Sequence, residues 1–300
     1  MLLARTRTKR ARVKLSVRSA RSSRRASQAE TKAESFLNTL SRQFSQSPFA
    51  QAVPIIDHIS PREFFERYYY ANRPVILRGL MTGWKARHRW SPDFFARRYG
   101  NCSVEIVTGR SRDPHYESNF LSHRTTLRMK DYVQMVNEAS ESNDFYLSAR
   151  NFFFQRKGFK SLLDDMRCPK GLLHPKTFRK APHFFFGPKG TVTPLHHDGL
   201  NILFGQIYGR KLLKLIPPFD MGKVYVERVC FSGVDLGKLD YSKFPLMRRA
   251  SILEVVVEPG EFLFIPVGWW HWVKALDTSI SVSFTSFDVK GSPVVWRFWE

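Results

Sequence analysis

After Lys180 the apolar residues come only in short runs, and Gly or Pro interrupts them repeatedly: Phe184 to Phe186, Asn201 to Tyr208, Leu212 to Ile216, Leu253 to Val257, Phe262 to Ile265 and Ser279 to Phe284. Such runs are too short for core helices. Short strands at regular intervals with turn residues between them predict a β-sandwich or barrel over about residues 180–290.

The segment before it mixes helices and strands. Ser60-Pro61-Arg62-Glu63 is a compact helix start, in which Ser60 can cap, Pro61 suits the first turn and Glu63 can close the capping box. Phe64, Phe65, Tyr68 and Tyr69 follow at helical spacing, and Asn72-Arg73-Pro74 ends that helix before a Val75-Ile76-Leu77 strand. Ser91-Pro92-Asp93 opens a second helix that runs to about Gly100. A strand is expected over Val104–Val107, a helix over Leu127–Val136 and a strand over Phe145–Leu147. The expected fold is mostly β with N-terminal α+β elements, a domain over residues 48–300. With 26 Phe residues the chain can fill a large core.

Residues 1–47 read as a tail, because Arg, Lys, Ser and Ala dominate and hydrophobics are too sparse to bury. An acid-free, Arg- and Ser-rich start matches organelle transit peptides, and equally a solvated basic arm. The expected compartment is the cytoplasm, with a mitochondrion or other organelle as the alternative. Ten of the 22 net positive charges lie in residues 1–29, which leaves +12 on the rest. A basic body attracts nucleic acid, acidic protein segments or small anions, and charge alone does not choose among them. The three cysteines are far apart and form no CxxC pair, so neither a disulfide framework nor a zinc site is encoded. The stretch Phe262–Val273 is too short and broken to span a bilayer, so no membrane segment is expected.

Chemistry enters at Thr193-Pro194-Leu195-His196-His197-Asp198. In a strand, residues i and i+2 share a face, so His196 and Asp198 can aim an imidazole and a carboxylate at one point. His197 faces the other way. Far downstream, Gly268-Trp269-Trp270-His271 supplies a second imidazole. Two His and one carboxylate are the facial ligand set of non-haem Fe(II) oxygenases, which leaves positions open for co-substrate and O2. An isolated HxD is also a common surface turn, and a His beside two Trp is often a packed core residue.

Around these pieces stand Gln206-Ile207-Tyr208-Gly209-Arg210-Lys211, Pro217-Pro218 and Pro259-Gly260-Glu261-Phe262-Leu263-Phe264-Ile265-Pro266, with Arg73-Pro74-Val75-Ile76 and Trp90-Ser91 upstream. In order and spacing, from about Pro54 to Phe287, the chain resembles the Jumonji C, cupin-like branch of the Fe(II)- and 2-oxoglutarate-dependent oxygenases. That branch includes the asparaginyl hydroxylase that inhibits the hypoxia-inducible factor and a hydroxylase of the tRNA base wybutosine. The resemblance implies a double-stranded β-helix, an eight-stranded jelly-roll barrel with Fe(II) inside one mouth on His196, Asp198 and His271. It implies 2-oxoglutarate and O2 as co-substrates, with the distal carboxylate of 2-oxoglutarate on Lys211, Thr193 and Tyr146. Lys214 is the rival to Lys211. Ser283 lies where the nearest pattern has an asparagine beside the site, and Glu261 replaces an aspartate.

The implied function is a dioxygenase that hydroxylates a protein side chain. Alternatives are a tRNA- or other nucleic-acid-modifying hydroxylase of the same fold, a demethylase, and a non-catalytic cupin-like binding protein. A protein or peptide is the expected substrate, RNA the alternative, and a monomer or weak dimer the expected state.

Overall fold

The computed structural model describes residues 31–180, 182–290 and 294–297. Met1–Ser47 and Pro48–Glu300 separate as two compact units. In the first, residues 31–45 are helical, where the sequence reading had a tail. Sparse hydrophobics argue against burial, not against helix, and Ala, Glu, Leu, Arg and Gln here are all good helix formers. The acid-free segment that suggested a transit peptide lies outside the described residues.

The second unit holds strands β1 (Ile55–Ile56), β2 (Val75–Leu77), β3 (Ser103–Val107), β4 (Arg124–Arg128), β5 (His183–Gly187), β6 (Val192–His197) and β7 (Ile202–Tyr208). β8 (Lys211–Ile216), β9 (Val226–Arg228), β10 (Phe231–Ser232), β11 (Leu253–Val257), β12 (Phe262–Ile265), β13 (Trp270–Ala275) and β14 (Ser279–Phe284) complete the set. One six-stranded sheet runs β1-β2-β12-β7-β14-β5 and the other β11-β8-β13-β6-β10-β9. Except for β1 on β2, every paired strand in them is antiparallel. The alternation of neighbours between sheets is that of a double-stranded β-helix, with β5, β14, β7 and β12 in one sheet and β6, β13, β8 and β11 in the other.

Residue alternation sorts each sheet into an outer and an inner face. On the first sheet Phe184, Phe186, Leu203, Ile207, Phe262, Phe264 and Ile280 turn outward into a core shared with the N-terminal helices. Helix Pro61–Phe64 is capped by Ser60 as the sequence suggested, and it continues as a π-helical turn, Phe65–Tyr69. Helix Pro92–Tyr99 is capped by Ser91. On the second sheet Leu195, Ile216, Trp270 and Trp272 turn outward against Val234, Leu236, Phe244 and Met247 of the segment between β10 and β11. That insert is therefore the outer cover of one sheet.

Two local expectations change. Leu127 and Arg128 end β4, and the helix is Met129–Glu138. The β-branched pair Thr125-Thr126 is drawn into pairing with Ile106 and Glu105, and only from Met129 does the apolar spacing become helical, through Tyr132, Val133 and Val136. Phe145–Leu147 is not a strand. Tyr146 bridges Val107 and Leu147 bridges Phe186, so this segment ties the small β3–β4 sheet to the barrel.

Candidate metal centre

His196 on β6 and His271 on β13 are register partners across an antiparallel ladder, with ring centroids 4.1 Å apart. Asp198 follows β6 directly, and its Oδ2 lies 3.9 Å from His196 Nε2 and 3.5 Å from His271 Nε2. One donor atom from each of the three falls within 4.8 Å of the others. Each imidazole donates through Nδ1 to a carbonyl two residues back, His196 to Pro194 at 2.8 Å and His271 to Trp269 at 3.0 Å. That bond makes Nε2 the lone-pair end.

Two lone pairs and a carboxylate oxygen thus converge, and such a set calls for a cation at its centre. The electrostatics agree. Burial, then the neighbouring His271, pushes the His196 imidazole down to about 4, so it is neutral and available as a ligand at neutral pH. Burial alone would raise the Asp198 carboxyl, but the close approach of the His271 and His196 imidazoles outweighs it and holds the group well below the usual carboxylate range. The donors fit Fe(II) by type and number.

The three line a cavity of about 790 Å³ between the two sheets. Thr193, Tyr146, Lys211 and Ser283 line it as well. Thr193 and His196 are three apart, so a regular strand would send them to opposite faces. The β6–β13 register slips between His271 and Val273, with Val273 opposite Thr193, and this bulge turns both residues inward. His197 is buried on the far side, stacked on Trp296 at 4.4 Å and edge-on to Trp270 at 4.6 Å. Trp269 and Trp270 are buried and do not line the cavity; of Phe184, Phe185 and Phe186 only Phe185 does.

Lys211 is 2 % exposed, and its Nζ donates to the Tyr146 hydroxyl at 3.1 Å. Rings of Tyr146, Phe185 and Phe204 surround it at 5.4–5.6 Å. Among the described residues no carboxylate pairs with it, and burial pushes the amine down to about 7. A cation left in an apolar wall with only a neutral hydroxyl is poised for an anion. The rival Lys214 points outward instead, paired with Glu254 at 2.9 Å. The Ser283 hydroxyl lies 3.5 Å from His183 Nδ1.

Sequence reasoning missed the support behind this pole. Arg110 is fully buried and binds Glu117 at 2.9 Å, the Val192 carbonyl at 2.7 Å and Asn143 Oδ1 at 3.1 Å, while its guanidinium lies 5.2 Å from the Tyr146 ring. A single Arg in a polar loop carries no signal that would have flagged it.

A cupin-like domain model matches residues 61–285. The chain belongs to the Jumonji C, cupin-like oxygenase family. Within that family it is 31% identical over 231 residues to lysine-specific demethylase JMJ30 of Arabidopsis thaliana, covering 75% of this chain and 52% of that protein. It is 30% identical over 240 residues to lysine-specific demethylase 8 of Xenopus tropicalis, covering 78% and 52%. With tRNA wybutosine-synthesizing protein 5 of Gallus gallus it shares 25% over 250 residues, covering 78% and 76%. The chain spans about half the length of the two demethylases it matches. Family membership accounts for the shared barrel; which C–H bond a member attacks is a separate matter.

Proposed function

We propose that this Jumonji C protein is an Fe(II)- and 2-oxoglutarate-dependent oxygenase that hydroxylates a protein side chain. The observation that carries the oxygenase reading is the pairing of two poles in one hollow: the His196, Asp198 and His271 donors, and the buried, carboxylate-free Lys211. His196, Asp198 and His271 would hold the metal. Lys211 would neutralise the distal carboxylate of 2-oxoglutarate, with the Tyr146 and Thr193 hydroxyls as added hydrogen-bond partners. When bound, iron with 2-oxoglutarate and O2 supplies the oxidising power to place an oxygen atom in a substrate C–H bond as 2-oxoglutarate loses CO2.

The protein's own share is position and dryness. The His196 and His271 rings are fixed by their Nδ1 bonds, so their Nε2 atoms need not reorganise on metal entry. Phe185, Phe204 and Leu213 in the cavity wall exclude water from the Lys211 end, which strengthens its attraction for an anion. Tyr146 is buried and its hydroxyl is pushed up, so it stays protonated.

A protein substrate is favoured by the motif likeness to the asparaginyl hydroxylase and by two relatives named for acting on lysine. RNA is the second reading, favoured by the basic body and by the wybutosine relative. The test is anaerobic loading with Fe(II) and 2-oxoglutarate, then exposure to oxygen with whole-cell extract, reading mass shifts on peptides and on RNA. A gain of one oxygen on a peptide supports the proposal. Formaldehyde release with loss of a methyl group would replace hydroxylation by demethylation, and a gain confined to RNA would replace the substrate. RNA binding that drives turnover would weaken steeply with salt.

A further inference from the structure

The segment 294–297 reaches the cavity from far along the chain. Val295 lines the same cavity as the three candidate ligands, and it is 44% exposed, which places it at the rim. No strand ladder holds it there. The Trp296 amide donates to the Gly199 carbonyl at 2.8 Å, and the Trp296 ring stacks on His197 at 4.4 Å with 14° between planes. The same ring lies against Gly268, where a Cβ would come within 3.5 Å of it and where φ is +80°. Gly199 follows Asp198, Gly268 precedes His271 by three residues, and the Gly268 amide donates to the Asp198 carbonyl at 3.2 Å. The segment is therefore pinned to both loops that deliver metal-binding side chains, and the anchoring ring uses the outward histidine of the His196-His197 pair. Three apolar side chains in a row, half exposed and unsupported by regular structure, are unusual unless they shape something.

We propose that residues 294–297 form a specificity strap at the rim: Val295 sets the room for the substrate group beside the metal, and Trp296 is a positioning residue that holds Val295 in place. The inference rests on the oxygenase reading and adds to it which residues size the substrate end of the hollow. Lys211 and Thr193 serve the co-substrate, so the strap acts on the substrate side alone. Filling or vacating the volume of one side chain in a pocket of this kind changes recognition by roughly ten- to two-hundred-fold per methylene-scale change.

The test uses the full chain loaded with Co(II), whose visible absorption reports ligands entering the metal's open positions. Imidazole serves as the small probe and 4-phenylimidazole as the large one, with folding checked by circular dichroism. Val295→Trp is expected to weaken 4-phenylimidazole by about tenfold or more while leaving imidazole within about twofold. Val295→Gly and Trp296→Ala are both expected to reduce the discrimination between the probes, and Trp296→Phe, which keeps a ring on His197, to restore it. Unchanged discrimination in Val295→Gly and Trp296→Ala overturns the strap, whatever the bulkier Val295→Trp variant does to folding. No spectral response to imidazole in the wild-type chain would instead overturn the oxygenase reading, and the strap with it.

Discussion

The Lys211 ammonium lies 3.1 Å from the Tyr146 hydroxyl and has no carboxylate partner among the described residues. Burial pushes its titration down to about 7, against an ordinary value near 10.5. The sign follows from proton binding. Below about 7 both folded and unfolded chains carry the proton, and the folded chain bears the full penalty of a buried charge. Between about 7 and 10 the unfolded chain binds more protons, so stability of the ligand-free protein rises with pH. Lys211→Met should abolish that rise and stabilise the ligand-free protein at pH 6 by about 1–4 kcal/mol, seen as a higher melting midpoint. The same variant should lose 2-oxoglutarate binding, so stability and function move in opposite directions.

A dicarboxylate needs the charged form of Lys211. Wild-type affinity for 2-oxoglutarate, measured calorimetrically with Mn(II) in place of iron, should therefore fall as pH rises above about 7, by up to about tenfold per pH unit. A flat profile between pH 7 and 9 would mean that another group holds the distal carboxylate.

Lys214 is the internal control. Its pair with Glu254 lies on the outer face, with the Glu254 side chain 56% exposed. The Lys214 side chain is itself 20% exposed and also donates to the Leu236 carbonyl at 3.0 Å, so Lys214→Met should leave 2-oxoglutarate affinity unchanged while costing about 0.5–1.5 kcal/mol of stability.

Arg110 and Glu117 form a buried pair, with side chains 0% and 15% exposed. Arg110→Met leaves an uncompensated carboxylate and frees the Val192 carbonyl and Asn143, and should cost about 3–5 kcal/mol in urea unfolding. The double variant Arg110→Met with Glu117→Met should recover part of that loss. Additive single effects would show that the two side chains do not act as a pair.

Gly209 turns the chain from β7 into β8 with φ +64°, two residues before Lys211, and a Cβ there would collide with the Thr278 carbonyl. Gly209→Ala should destabilise by about 1–3 kcal/mol from the backbone conformation alone, read as a lower urea midpoint, with 2-oxoglutarate binding weakened as the start of β8 shifts.

Much of this was legible in the residues. The spacing of His196 and Asp198 is local, and so are the Ser60 and Ser91 caps, so pattern alone could place them. The join of β6 to β13 is not local: His196 and His271 meet only because distant strands pair in one register, and only motif likeness hinted at it. Lys211 and Lys214 are an odd number of residues apart on one strand and so face opposite ways. Motif likeness singled out Lys211 with Lys214 as its rival, and the three-dimensional pairing puts Lys211 inward and Lys214 on Glu254. The β6 bulge that turns Thr193 toward the cavity leaves no mark in composition. The helix over 31–45 was hidden because sparse hydrophobics speak to burial rather than to helix formation.

The central claim is that two imidazoles and one carboxylate bind a single metal ion. It is tested most directly by anaerobic Fe(II) titration of the wild-type chain and of His196→Ala, Asp198→Ala and His271→Ala, each shown by circular dichroism to be folded. The account predicts one equivalent bound by the wild type and a loss of affinity of at least about a hundredfold in every variant, since even outer partners of metal ligands are worth ten- to a hundredfold. Stoichiometric Fe(II) binding at wild-type affinity in any one of the three folded variants would contradict it.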